Sequence, residues 1–85
     1  MLALQSELTH DTAAAVLRDG MASIDAGETQ VDCAALMRFD SSALAVLLAL
    51  RRHAIRRGAT LAFSNLPDEL TSLAQVYGIT HLLAN

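Results

Sequence analysis

The sequence predicts an α/β domain in which a mixed, mostly parallel β-sheet packs against helices in the order β-α-β-α-β-α. Three short segments carry alternating apolar residues, and each is followed by a segment whose apolar residues recur every three or four positions. This alternation implies right-handed crossovers that join parallel strands. Because 85 residues suit one small domain, we expect residues 1–85 to fold as a single unit.

The first strand is predicted over residues 2–8, where Leu2 and Leu4 alternate with other residues before the polar Thr9-His10-Asp11. A helix should follow, with Thr9 or His10 at its start and Gly27 at its end. Four residues at helical spacing define its apolar face: Ala13, Leu17, Met21 and Ile24. The second strand is predicted over residues 29–36, with Val31 and Cys33 on one face.

The central helix is predicted over residues 39–57, and both of its ends are marked. Asp40 or Ser41 can accept a hydrogen bond from the first-turn amides, and Gly58 can adopt the left-handed conformation that stops a helix. Residues 43–50 are uninterrupted apolar residues, so the first two turns are apolar nearly all round. We expect the domain itself to bury one side of this helix and a partner to cover another.

The third strand is predicted over residues 59–64, with Leu61 and Phe63 alternating. Residues 65–69 mark a helix start, because Pro67 lies in the first turn and two acidic residues follow it. The apolar face of this helix is predicted from Leu70, Leu73, Ala74 and Tyr77, and Gly78 should end it. Residues 79–83 should form a terminal turn that packs its three aliphatic side chains onto the sheet.

The order of elements places all three helix starts at one edge of the sheet. These starts are residues 9–11, residues 40–42 and residues 64–65. In a parallel sheet they follow the carboxyl ends of the strands, where open α/β sheets bind ligands and partners. We therefore expect the functional surface at this edge.

Composition and motifs argue against several function classes. The sequence has no glycine-rich phosphate loop, no metal-ligand spacing and no nucleophile elbow, so neither a cofactor, a metal nor an enzyme activity is expected. Cys33 is interpreted as a small buried hydrophobic residue rather than a reactive thiol. A net charge of −3 disfavours nucleic acid as a partner, and no apolar run approaches the length needed to cross a bilayer.

Basic residues cluster at the end of the central helix, at Arg51, Arg52, Arg56 and Arg57. The favoured interpretation is a solvated helix end that complements the helix dipole, with His53 exposed among the arginines. The alternative is contact with an acidic protein surface or with anionic lipid headgroups.

Capping alone does not account for the pair Ser41-Ser42 at the start of the central helix. Capping requires only one side chain, so the second hydroxyl is available at the positive end of a long helix. A phosphate at that place would be electrostatically favourable and would also block a partner resting on the same surface.

These residues resemble the motif of a known family. Residues 31–33 and the stretch from Phe39 to Leu44 resemble the central region of STAS domains, and ELTHDTA over residues 7–13 resembles the preceding strand-to-helix corner. The resemblance covers nearly the whole chain in element order, although the family usually has an additional first strand. The segments ELTHDTA, FDSSALAVLLALRR and LAQVYGI are most similar to the small stand-alone, MlaB-like branch of the family.

The resemblance implies a non-enzymatic cytoplasmic subunit that docks on the MlaF-like ATPase of a phospholipid-transporting ABC complex, which maintains outer-membrane lipid asymmetry. The permease MlaE and the lipid-binding MlaD would belong to the same complex, so the chain would associate with the inner membrane only through its partners. Ser41 matches the position of a functionally important hydroxyl in that branch. The expected interface comprises Asp40, Ser41, Ser42, Ala43, Ala45, Thr9, His10 and Asp11.

The alternative implied by the resemblance is an anti-sigma factor antagonist that is switched by phosphorylation of Ser42. Ala43 stands where most such antagonists have glycine, which weakens this interpretation because a methyl group hinders close approach of a kinase. The thin core and the apolar helix also allow a homodimer when no other partner is present.

Overall fold

The structure is a computed structural model that describes residues 1–83. The order of elements is β1 (Leu2–Ala3), β2 (Glu7–Leu8), α1 (Ala13–Asp25), β3 (Gln30–Asp32), β4 (Arg38–Phe39), α2 (Ser41–Arg56), β5 (Ala62–Ser64), α3 (Asp68–Val76) and α4 (Thr80–Leu83). The predicted α/β class is confirmed, and every paired strand is parallel to its neighbour in the described residues.

The strands form two small sheets rather than one. The first has the order β1-β3-β5, with Val31 of the central strand opposite both Leu2 and Phe63. The second pairs β2 with β4, and Leu8 lies opposite Phe39. The N-terminal segment therefore pairs twice, first with β3 and then with β4.

Two of the predicted strands are interrupted. Residues 2–8 form β1 and β2 instead of one strand, and residues 29–36 contribute only β3 before the chain turns, with the Leu36 N–H donating to the Cys33 carbonyl (3.1 Å). The turn shifts the chain, so residues 38–39 pair with β2 as a strand that was not predicted from the sequence. The third strand is shorter than predicted and begins at Ala62.

The first helix begins later than predicted, because residues 9–12 form a hydrogen-bonded turn. Thr12, not Thr9 or His10, is the N-cap, and its hydroxyl accepts a hydrogen bond from the Thr9 N–H (3.0 Å). The predicted stops are confirmed, since Gly27, Gly58 and Gly78 have φ angles of 104°, 75° and 69°. Such angles favour glycine, because it has no Cβ atom.

The central helix α2 contacts α1, α3 and α4 and supplies much of the core. The largest of the fully buried side chains are Leu8, Val31, Cys33, Leu47, Leu50, Leu61 and Leu70. Gly20 allows α1 to approach α2 closely, because a Cβ atom at that position would lie 2.7 Å from Cδ2 of Leu50. The spacing of these two helices therefore depends on one residue without a side chain.

The C-terminal predictions hold in part. Leu70 and Ala74 of α3 are buried as predicted, whereas Tyr77 is 57% exposed because it lies beyond the last turn, at the C-cap. Of the three terminal aliphatic residues, Leu83 is buried and Ile79 is partly buried against the core. Leu82 is 40% exposed and does not pack inward.

Candidate partner-binding site

Asp40 organises the start of α2. Its backbone is extended (φ −131°, ψ −167°), and its Oδ1 atom accepts a hydrogen bond from the Ser42 N–H at 2.8 Å, which is N-cap geometry. Its Oδ2 atom accepts a second hydrogen bond from the His10 N–H at 3.0 Å. The carboxylate therefore ties the turn before α1 to the first turn of α2.

The same hydrogen bonds lower the pKa of Asp40 from its ordinary value. The His10 N–H contributes most, followed by the Ser42 N–H, while partial desolvation acts in the opposite direction. Donors that point at a carboxylate stabilise its charged form. Asp40 is thus a carboxylate at neutral pH, where the positive end of the α2 dipole also favours a negative charge.

The two serines differ in their surroundings. Asp40, not Ser41, caps the helix; Ser41 is exposed, and no hydrogen bond to its hydroxyl is found within residues 1–83. Ser42 is half-buried and faces the side of α2 that lies next to α1. The more accessible hydroxyl therefore belongs to Ser41. Phosphorylation of Ser42 stays a prediction.

An apolar groove runs between α1 and α2 beside Ser42. Its volume is about 410 Å³, and its lining is mostly alanine: Ala13, Ala14, Leu17, Ser42, Ala45, Val46 and Ala49. Small side chains leave the helix backbones accessible, so a partner helix could approach closely. Ala45 is exposed in this groove, as its place in the predicted interface requires.

Ala43 has a different position from the one expected of an interface residue. Its side chain is 0% exposed and belongs to the core, because the first turn of α2 directs this position toward the interior. The structure therefore removes Ala43 from the surface that a partner can touch. A role in binding remains a prediction for the other interface residues.

The turn before α1 forms the polar rim of this surface. His10 and Asp11 are exposed, whereas Thr9 is half-buried and its N–H is occupied by the Thr12 hydroxyl. The hydrogen bond from His10 to Asp40 confirms that the first two helix starts lie together.

The third helix start makes its contacts elsewhere. The Asn65 side-chain amide donates to Oδ1 of Asp32 at 3.0 Å, and the Ala34 N–H donates to the same oxygen at 3.0 Å. Asn65 and the Ala34 amide, in that order, lower the pKa of Asp32. This pair was not predicted from the sequence. The sequence signal for this pair is that Asp32 ends β3 and Asn65 directly follows β5, and these two strands are parallel neighbours.

The basic end of α2 is partly occupied by contacts within the chain. Arg51 donates to the Leu82 carbonyl (2.8 Å), and Nε of Arg57 lies 3.3 Å from Oδ1 of Asp25. Nε2 of His53 lies 2.7 Å from the same Asp25 oxygen, and the His53 side chain is only 16% exposed. The prediction of an exposed His53 was wrong, because α1 supplies a carboxylate that covers the ring.

Few features of residues 1–83 support a catalytic role. Cys33 is fully buried, and desolvation, followed by the charge of Asp32, raises its pKa to about 11. Such a thiol is almost entirely protonated at neutral pH and is a poor nucleophile. Within residues 1–83 no group of three or more His, Cys, Asp or Glu residues could hold a metal ion. None of the helices there is long and apolar enough to cross a membrane.

A family model described as "Mlab, STAS domain" matches residues 1–84. No curated protein matches the chain. The matched family is one of generally non-enzymatic domains, which agrees with a site built from a cap, two hydroxyls and an apolar groove.

Proposed function

Since the chain belongs to the MlaB-like family of STAS domains, we propose that it is a non-enzymatic subunit that binds and supports the ATPase of a phospholipid-transporting ABC complex. The ATPase would be MlaF-like, and the complex would also contain a permease and a lipid-binding protein of the MlaE and MlaD kinds. The chain would be cytoplasmic and would associate with the inner membrane through the ATPase. Its role would be to help maintain the lipid asymmetry of the outer membrane.

The observation that carries this proposal is the exposed Ser41 side chain at the start of α2, next in sequence to Ser42, which lines the groove between α1 and α2. Ser41 is presented at the positive end of a 16-residue helix while Asp40 performs the capping. A hydroxyl at this place can donate to a carbonyl or carboxylate of a partner and can also accept a hydrogen bond.

The groove supplies the apolar contact that a hydroxyl alone does not. Ala45 and Ala49 leave room for a partner side chain, and the exposed His10 and Asp11 stand at the polar edge. Protein interfaces combine a desolvated apolar centre with a polar rim in this way. The arrangement therefore suits a helix or loop of the ATPase that carries an apolar residue flanked by polar ones.

Co-purification of the chain with the MlaF-like ATPase tests the proposal. Ser41→Lys should weaken binding by about tenfold or more, which corresponds to 1.4 kcal/mol, because it places a bulky cation where the partner would desolvate the surface. Ala45→Glu should have a similar effect through the groove. Ser72→Lys makes the same change of charge at an exposed position of α3 and should leave binding within about twofold.

Circular dichroism must show that each variant is folded before binding is compared. If folded Ser41→Lys and Ala45→Glu bind the ATPase as well as the unmodified chain, this surface is not the interface. If the unmodified chain does not bind the ATPase at all, the proposed function is wrong.

A further inference from the structure

The exposed side of α2 carries a stripe of residues that runs from the first turn of the helix to the last. Its members are spaced four, three, four and three residues apart, which places them on one face of the helix: Ser41, Ala45, Leu48, Arg52 and Ile55. Leu48 is half-buried and the others are exposed. This α2 stripe spans about 21 Å and begins with two residues of the proposed ATPase site. The site therefore has a continuation toward the basic end of the helix.

Two arginines at that end have no counter-charge in the described part of the chain. The other basic residues there contact a backbone carbonyl or the Asp25 carboxylate. Arg52 and Arg56 are exposed, and neither makes a hydrogen bond or an ion pair within residues 1–83. A guanidinium group donates two parallel hydrogen bonds to a carboxylate, so each of these arginines can receive an acidic side chain from a partner.

The stability of the free chain does not account for this arrangement. Arg56 lies in the last turn, where the negative end of the helix dipole favours a cation, but Arg52 lies one turn earlier. Like charges four residues apart on a helix repel each other. Ile55 lies between the two arginines and is 61% exposed, so it leaves apolar surface in water. A partner that brings carboxylates beside an apolar residue would relieve both costs.

We infer that the ATPase covers the α2 stripe with an acidic amphipathic helix. The inference rests on the proposed function and adds to it the chemistry of the partner segment. Two helices that lie along each other pack through residues at alternating spacings of three and four, and the α2 stripe has this pattern. Ala45 is small and exposed, so the second helix can approach closely at that position.

The charges set the direction of the partner helix. Acidic residues are favoured in the first turn of a helix, because its N-terminus is the positive end of its dipole. An antiparallel helix would place that turn beside Arg52 and Arg56, with an apolar residue against Ile55. Its later turns would carry small or apolar residues opposite Ala45 and Leu48.

A membrane surface fits the α2 stripe less well than a helix. Anionic headgroups would attract Arg52 and Arg56. A flat surface that lay along the stripe, however, would also meet the exposed carboxylates of Asp11 and Asp40 at its other end. A helix avoids this conflict, because it can be acidic at one end alone.

The affinity of the purified chain for the MlaF-like ATPase tests the inference. Arg52→Gln removes the charge but keeps much of the length of the side chain, and it should raise the dissociation constant about tenfold. Arg56→Gln should act in the same direction. Gln75→Glu makes the same change of net charge at an exposed position of α3 and should leave the affinity within about twofold. Circular dichroism should show that all three variants are folded, because each substitution is at an exposed position.

A cross-link identifies the residues that lie opposite Arg52. The sequence contains no lysine, so Arg52→Lys introduces a single side-chain amine and keeps the positive charge. A carbodiimide joins an amine to a carboxylate that contacts it. Mass spectrometry of the treated complex should find position 52 joined to an Asp or Glu in a helix of the ATPase. Gln75→Lys is the control and should give no cross-link from position 75 to the ATPase.

Failure of the inference is distinguishable from failure of the proposed function. If the ATPase binds the Arg52→Gln and Arg56→Gln variants as tightly as the unmodified chain, or if the bound ATPase gives no cross-link at position 52, the inference is wrong and the proposed function stands. If the two variants lose only their co-sedimentation with vesicles that contain phosphatidylglycerol, the arginines bind lipid headgroups and the inference is also wrong. An ATPase that does not bind the unmodified chain would reject both.

Discussion

The close approach of α1 to α2 at Gly20 leads to a prediction about stability. Gly20→Ala should lower the free energy of unfolding, although helix propensity alone would raise it. In an exposed helix interior, Gly→Ala stabilises by about 1 kcal/mol. At Gly20 the new Cβ would lie 2.7 Å from Cδ2 and 3.1 Å from Cδ1 of Leu50, and Leu50 is itself 0% exposed. Overpacking a core costs about 1–3 kcal/mol. When the gain in helix propensity is subtracted from this cost, Gly20→Ala should lower the free energy of unfolding by up to about 2 kcal/mol.

Urea unfolding followed by circular dichroism at 25 °C measures this change. A loss of 1 kcal/mol corresponds to a fall in Tm of about 4–8 °C for a domain of this size. The control is Leu50→Val, which removes both δ-methyl groups. In that background Gly20→Ala should be neutral or stabilising, since only the propensity gain remains. A stabilisation of about 1 kcal/mol by Gly20→Ala in the unmodified chain would refute the reasoning, because it would mean that Leu50 moves aside without cost.

Two further predictions concern ionisable groups. Because the pKa of Asp40 is lowered in the folded chain, its stabilising effect is complete above its ordinary value of 3.8 and is lost as the pH falls through the lowered pKa. The urea midpoint should therefore fall more between pH 7 and pH 3 in the unmodified chain than in Asp40→Asn, and equal falls would contradict the hydrogen-bond assignment. Cys33, with its pKa raised to about 11, should react with an aromatic disulfide reagent at pH 8 only at the rate at which the chain opens. Rapid modification of the folded chain would show that the thiol is accessible.

The sequence was sufficient for the parts of the fold that depend on local chemistry. The three glycine stops follow from backbone conformation, and the structure has all of them. The sequence narrowed the cap of α2 to Asp40 or Ser41, and the structure shows that Asp40 is the cap. The division of residues 2–8 into β1 and β2 could not be read from the sequence, because alternation persists through Leu4 while the break depends on which strand lies opposite.

The candidate site was predictable to a similar degree. The proximity of His10 to Asp40 followed from parallel topology, since both residues come after strands that proved to be neighbours. Ala43 was misplaced because a helix that is apolar on nearly every side does not reveal which small residue faces inward. The pairing of His53 with Asp25 needed the relative position of two helix ends, and no local pattern determines that.

The double use of the Asp40 carboxylate has a consequence for the affinity of association. Each oxygen already holds a backbone N–H from a different segment, so the turn and the helix start have one shared geometry before any partner arrives. A preorganised surface loses little conformational entropy on binding, and more of the contact energy then appears as affinity. Loosening Asp40 should therefore weaken docking even where the substituted side chain never touches the visiting protein.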